Sequence, residues 1–269
     1  MVTSTIHTDS LLRIKKLLFV CFIAAFLSAC VTTETGGFAK KADRDKALEA
    51  SITLARQYIS EQEWTQAKRH LKRGLEIDNK SAEVHEAMAL VFQNTGEIER
   101  AEGHYKQAVR YDGSISRIRL NYAGFLMRLQ RCADAVDELE VVVADTLYDN
   151  RQQAYVNLGY CYSELGNLEK TESSFKRAFL MSNRQSPVLM FELADVYYKL
   201  KEYRNAQRYY DGFRAQVKQQ PPRALLLGAR LARVFKNEDA LSSYGLALKN
   251  LYPNSQQYLD YRKELSNDD

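Results

Sequence analysis

The sequence predicts an all-α fold: six helix-turn-helix units stacked into a right-handed superhelix and closed by a C-terminal capping helix. Two observations carry this expectation. A five-slot pattern of small and large apolar residues recurs about every 34 residues, the mark of stacked repeats. In addition, only 12 Gly and 4 Pro are spread over 269 residues, too few for a collagen-like chain or a turn-rich all-β sandwich. With 45% hydrophobic and 27% charged residues, the composition is that of a folded body.

Taken in order, residues 1–29 read as a signal peptide to be cleaved. A basic cluster, Arg13, Lys15 and Lys16, precedes an apolar run from Leu17 to Leu27. Eleven residues at 1.5 Å rise span roughly half of a ~30 Å hydrocarbon core, too short for a permanent membrane span. The following Leu27-Ser28-Ala29-Cys30 resembles a bacterial lipobox. That resemblance implies a covalent diacylglycerol and an N-acyl lipid on Cys30, and no other cofactor. Val31 rather than Asp after the cysteine implies, in the same families, the periplasmic face of the outer membrane. Several acyl chains anchor stably where one does not. Cys21 would leave with the leader. So would Arg13, Lys15, Lys16 and Asp9, taking the 38 basic and 34 acidic residues to 35 and 33. A balance of +2 is no nucleic-acid-binding charge.

Residues 30–47 carry Gly36, Gly37 and mixed charge without apolar period. They read as a flexible, lipidated tether with a reach of about 20 to 25 Å.

The repeats occupy 48–254, as units 48–81, 82–115, 116–149, 152–185, 187–220 and 221–254. Their small residues are Ala67, Ala101, Ala135, Thr171, Ala206 and Ala240, spaced 34, 34, 36, 35 and 34 apart. Four further on come Leu71, Tyr105, Leu139, Phe175, Tyr210 and Tyr244. Twelve before stand Ala55, Ala89, Ala123, Gly159, Ala194 and Gly228, where only a small side chain lets two helices touch closely. This pattern resembles the tetratricopeptide repeat. Each unit is two amphipathic helices that bury their stripe only by stacking on neighbours. Gly96 and Gly166 fall between paired helices, and Asp78, Asp112 and Pro253 where second helices end. Trp64 shares the first slot of the second helix with Ile98, Leu168 and Tyr203 and reads as core. Residues 255–269, with Tyr258, Leu259, Tyr261 and Leu265, read as the capping helix, Asp268 and Asp269 fraying at its end.

Nothing in the chain assembles a catalytic constellation, so no enzyme and no small-molecule substrate are expected. It holds no phosphate loop, no nucleophile elbow and no HExxH zinc helix. No CxxC pair is present, and His70 and His104, in equivalent slots of adjacent units, stand too far apart to share a zinc. These two and His85 read as surface residues, and no metal is expected. Cys132, at the start of a second helix, and Cys161, late in the next first helix, lie in regions that abut. They read either as a disulfide or as two separate buried thiols.

In this repeat family the first helices line a concave groove that receives a partner segment. The residues placed there are Ile52, Arg56, Ile59, Glu86, Leu90, Gln93, Leu120, Met127, Tyr160, Phe191 and Tyr198. Each side chain could equally cover a neighbouring helix. Asn121 and Asn157 fall where peptide-binding relatives hold a ligand backbone.

Three stretches carry a closer resemblance: Asn121-Tyr122-Ala123-Gly124-Phe125-Leu126, Asp145-Thr146-Leu147-Tyr148, and the region from Leu225 to Tyr258 with Ser243-Tyr244-Gly245 and Leu251-Tyr252-Pro253. With the lipobox and the six repeats, the chain resembles the type IV pilus biogenesis lipoproteins of the PilF and PilW group. That resemblance implies a pilotin, an outer-membrane lipoprotein with a monomeric body. It binds the secretin subunit and promotes its outer-membrane localisation and multimerisation, hence pilus biogenesis and twitching motility. Some members carry paired cysteines in the third and fourth units, whereas here Met127 occupies the usual first cysteine slot and Cys132 lies five residues on. The competing expectation is a repeat lipoprotein that scaffolds another envelope complex, for β-barrel assembly or cell-wall enzymes.

Overall fold

The computed structural model describes residues 37–266. The leader, Cys21, Cys30, residues 31–36, Asp268 and Asp269 lie outside the described residues. Within them are thirteen helices and no strand: α1 (Gly37–Ser60), α2 (Trp64–Ile77), α3 (Ala82–Asn94), α4 (Ile98–Tyr111), α5 (Ser116–Arg128), α6 (Cys132–Ala144), α7 (Arg151–Glu164), α8 (Leu168–Met181), α9 (Pro187–Lys199), α10 (Tyr203–Gln216), α11 (Pro222–Val234), α12 (Glu238–Leu251) and α13 (Gln256–Ser266).

The chain divides into two compact units, one ending at Ser51 and one beginning at Ile52. In the first, the described residues are helical from Gly37, and the Ser51 hydroxyl donates to the Ala47 carbonyl at 2.8 Å. Residues 37–47 are therefore helical, where the sequence reading placed a flexible tether. After Gly37 the segment contains no breaker and is rich in Ala, Lys, Arg, Leu and Glu, all good helix formers.

The second unit is the solenoid. Each first helix ends two residues before a left-handed residue: Gln62, Gly96, Gln130, Gly166, Lys201 and Lys236, with φ from 56° to 78°. The next N–H then reaches back five residues, as in Glu63 to Tyr58, Glu97 to Phe92, Arg131 to Leu126, Asn167 to Tyr162, Glu202 to Tyr197 and Asn237 to Ala232, at 2.8–3.0 Å. This is a Schellman-type stop repeated six times. Only Gly96 and Gly166 meet the turn with the residue that suits it, which is why two turns and not six were visible in the sequence.

That turn fixes the register of every second helix and corrects one expectation. The buried slot three residues into the helix holds Ala67, Ala101, Ala135, Thr171, Ala206 and then Leu241, not Ala240. The sixth unit is displaced by one throughout, with Ala229, Ala232, Gly245 and Leu248 in the buried slots. Adjacent apolar residues at each of these places leave the periodicity unable to choose, and the extra residue enters before the Pro221-Pro222 start of α11.

Starts are capped locally. The side chains of Ser81, Asn167, Ser186 and Asn237 accept from the N–H three residues on, at 3.0–3.3 Å. Pro187 and Pro222 open their helices with a ring that needs no donor.

The core repeats with the turns. Leu71, Tyr105, Leu139, Phe175 and Tyr210, one per second helix, are fully buried. Both tyrosines have partners: Tyr105 donates to Gln93 Oε1 at 3.0 Å, and the Tyr210 hydroxyl lies 2.6 Å from Gln220 Oε1 and 3.0 Å from the Ala224 carbonyl. Burial pushes both phenols well above their ordinary range. Trp64 is only half-buried at the head of α2.

Helix α13 covers the open end. Tyr261 is buried against Gly245 and donates to the Leu241 carbonyl at 3.3 Å, and Glu264 holds Arg230 at 2.6 Å and Arg233 at 3.5 Å.

The glycines test this packing. A Cβ on Gly159 would stand 2.4 Å from the Phe175 ring, which is itself buried, whereas one on Gly124 would meet nothing within 4 Å. Gly159→Ala should lower stability by about 1–2 kcal/mol, overpacking outweighing helix propensity. Gly124→Ala should raise it by about 0.5–1 kcal/mol. Urea midpoints at constant slope measure both.

Candidate functional site

The first helices of successive units lie side by side, α3 with α5, α5 with α7 and α9 with α11. They form the inner face on which the sequence places the groove. Two clusters of charge dominate it. In the first, Glu86 of α3 is fully buried and is held from both sides. Arg117 and Asn121 come from α5, the amide at 2.7 Å, and Arg56 comes from α1 at 3.4 Å. Glu83 pairs with Arg56 at 2.8 Å and with Arg117 at 3.8 Å. A buried carboxylate is tolerable only when charge and hydrogen bonds compensate it, and this one has two guanidiniums and an amide.

The second cluster repeats the arrangement further along. Glu192 of α9 is buried and meets Tyr160 of α7 at 3.4 Å and Arg223 of α11 at 3.4 Å, while Asp195 lies 3.7 Å from Arg223. Burial raises the Glu192 carboxyl above its ordinary value, against the opposing pull of Arg223.

These clusters revise the expected groove. Glu86 is an internal clamp between units, not a partner contact. Ile52 and Phe191 are core residues, buried to 7% exposure, with the Arg223 guanidinium 5.0 Å over the Phe191 ring. Arg56 and Gln93 are committed to Glu83 and Glu86 and to Tyr105. Asn121 serves Glu86, and Asn157 accepts from Gln153 at 2.9 Å. Tyr160 is exposed, while Ile59, Leu90, Leu120, Met127 and Tyr198 are half-buried, so apolar surface remains between the charged clusters. The periodic pattern placed all of these on the right helices. It carried no signal for the ion pairs, which join residues about 30 positions apart.

The histidines also differ from expectation. His85 and His104 meet across α3 and α4, Nδ1 to Nδ1 at 2.9 Å, and His85 Nε2 lies 3.1 Å from the Asn79 carbonyl. The carbonyl can only accept, so His85 carries its proton on Nε2 and His104 donates from Nδ1. His85 is buried, and His104, against Phe92, and His70, stacked on Tyr58, are half-buried. Burial, then the neighbouring His85 and Arg100, lowers His104 to about 4.

Cys132 and Cys161 stand where the sequence placed them, in α6 and α7, but as free buried thiols within hydrogen-bonding reach of each other. Cys132 donates to Glu164 at 3.2 Å, and burial pushes both thiols up.

Helix pairs in a constant turn register, with a groove along their first helices, define a tetratricopeptide-repeat solenoid. The tetratricopeptide repeat profile matches residues 152–184. The type IV pilus assembly protein PilF of Pseudomonas aeruginosa is 38% identical over 246 residues, covering 91% of this chain and 97% of the relative. A solved structure of P. aeruginosa PilF superposes with a TM-score of 0.70 at 39% identity, over 82% of this chain and 99% of that one. PilW, described as a widely conserved type IV pilus biogenesis factor, superposes at 0.62 with 25% identity, over 79% and 97%. The chain belongs to the PilF family of type IV pilus assembly proteins.

Two outcomes test the site. Glu86→Ala should cost about 2–4 kcal/mol by leaving two guanidiniums without their shared partner, and Arg117→Ala less, since Arg56 and Asn121 remain; urea unfolding separates them. His104 is depressed in the folded state, so its contribution is complete above about pH 6.5 and is lost as pH falls towards 4. The loss should be on the order of 1–2 kcal/mol, reduced for a half-exposed ring. It should disappear from the pH profile of thermal stability in His104→Phe.

Proposed function

We propose that this protein is a non-catalytic pilotin: an outer-membrane lipoprotein, anchored through acylated Cys30, that binds the type IV pilus secretin and promotes its localisation and multimerisation. The observation that carries the reading is the 38% identity to PilF across nearly the whole length of both chains, on a fold whose exposed groove suits a polypeptide partner. Pilus assembly and twitching motility would depend on it through the secretin pore.

The work required is binding and placement. Half-exposed Ile59, Leu90, Leu120, Met127, Tyr160 and Tyr198 would shield an apolar segment of the secretin, as extended or helical peptides are held in grooves. The lipid would confine that complex to the membrane surface, raising the effective concentration of subunits that must close into a ring. No chemical step is needed, and the buried carboxylates have structural partners.

The test is capture of the full-length protein from detergent-solubilised envelopes, wild type against Ile59→Asp and Tyr160→Asp, with Cys30→Ala followed by membrane fractionation. Secretin should be recovered with wild type and reduced at least fivefold with a folded groove variant. Cys30→Ala should retain binding but leave secretin multimers outside the outer membrane. Recovery of barrel-assembly subunits or wall hydrolases without secretin would replace this reading with that of a scaffold for another envelope complex.

A further inference from the structure

The fourth and fifth units carry a site of different character. A cavity of about 460 Å³ opens between α8, α9 and α10, lined by Lys176, Phe179, Leu180, Arg184, Met190, Arg208, Tyr209 and Gly212. A second of about 460 Å³ adjoins it across Lys176 and Leu180 and adds Tyr155, Glu172, Ser173 and Arg177.

The floor is apolar and rigid. Phe179 meets Tyr209 edge-on at 5.8 Å, Tyr209 stacks on Tyr197 at 5.5 Å, and a Cβ at Gly212 would crowd Met190 Sδ at 3.2 Å, so glycine keeps the floor open. The rim is cationic. Lys176, Arg184 and Arg208 surround the first cavity, and no carboxylate lines it. Arg177 adds a fourth cation. The single acid in the second cavity, Glu172, is already held by Lys176 at 3.1 Å and by the Tyr197 hydroxyl. Arg208 lies 5.0 Å over the Tyr209 ring, which braces it without neutralising it. Leu180, 46% exposed, forms an apolar lip.

Several buried or half-buried acids of the solenoid are held by arginines, as around Glu86, Glu192 and Glu264. Here Arg184 and Arg208 stand over an aromatic floor in a cavity that no carboxylate lines. The geometry points to a docking site for an acidic protein segment that also carries an aromatic or branched apolar side chain, the carboxylates meeting Arg184 and Arg208 and the apolar group entering over Tyr209. Charge complementarity selects this occupant, and a concave apolar pocket beneath the cations suits a side chain better than a planar lipid surface does. None of its lining residues is among those assigned to the groove, so the two sites are separable by mutation.

A phage-displayed library of random octapeptides, selected on the full-length protein, tests this. Enriched sequences should carry net charge −2 or lower together with Phe, Tyr, Trp or Leu. Their retention should fall at least tenfold on Arg184→Glu/Arg208→Glu and at least threefold on Leu180→Ser, and should weaken with added salt. All three residues are exposed, and unchanged thermal unfolding verifies the fold. Enrichment of neutral or basic sequences, or retention unaffected by the double reversal, overturns the proposal. So does a lack of peptide enrichment combined with arginine-dependent flotation on phosphatidylglycerol but not phosphatidylcholine vesicles, which would assign the patch to a lipid surface.

Discussion

The stack depends on close approaches in which a small residue of one helix receives a large side chain of a neighbouring helix. Phe175 fills the space over Gly159, Tyr210 and Tyr244 crowd Gly228, and Tyr261 of the capping helix does the same to Gly245. The contact is apolar and non-directional, so it fixes distance without fixing rotation about or sliding along the helix. Those remaining freedoms are removed by the left-handed stop after each first helix, which sets where the second begins. Distance from side-chain volume and register from a backbone turn together allow units with little sequence in common to stack on the same rise.

The polar clusters act at the next level up. Glu86 joins Arg56 of the first unit to Arg117 and Asn121 of the third, and Glu192 joins Tyr160 of the fourth to Arg223 of the sixth. A stack held only by apolar contact can flex at each interface, since its stability is a sum of nearest-neighbour terms. A carboxylate clasped across two interfaces makes three units respond together, because separating either side leaves a buried charge poorly compensated. The groove is thus stiffened by its own floor, which spares a partner part of the ordering cost of binding.

What was readable in the sequence follows from this division. Repeat number, helix pairing and cap are local or periodic, and alignment of Ala67 through Ala206 exposed them. The sixth register was not readable, because Gly228–Ala229, Ala240–Leu241 and Tyr244–Gly245 each offer two acceptable residues and only the turn at Lys236 decides between them. The helical start at Gly37 was obscured by two glycines that look like a linker. The site was legible only in part. Face assignment puts Tyr160 and Ile59 on the first helices correctly, but burial of Ile52, Phe191 and Glu86 depends on what the next unit supplies. The His85–His104 pair joins residues nineteen apart on antiparallel helices, and no single-helix periodicity contains that distance.

Charge is sorted between the two faces, which bears on how one solenoid can serve more than one surface. Along the first helices, acids and bases meet across units and leave an inner groove whose remaining accessible character is apolar. Lys176 of α8 has a carboxylate from its own helix, whereas Arg184, in the loop after α8, and Arg208 of α10 line a cavity that holds none. Arginines without a carboxylate partner gain no ion-pair energy on folding, and like charges within a Debye length of ~8 Å repel. Beyond the contact of Arg208 with the Tyr209 ring, their positions above the aromatic floor have no ion-pair account in the stability of the fold, whereas Arg223 beside Glu192 and Asp195 has one.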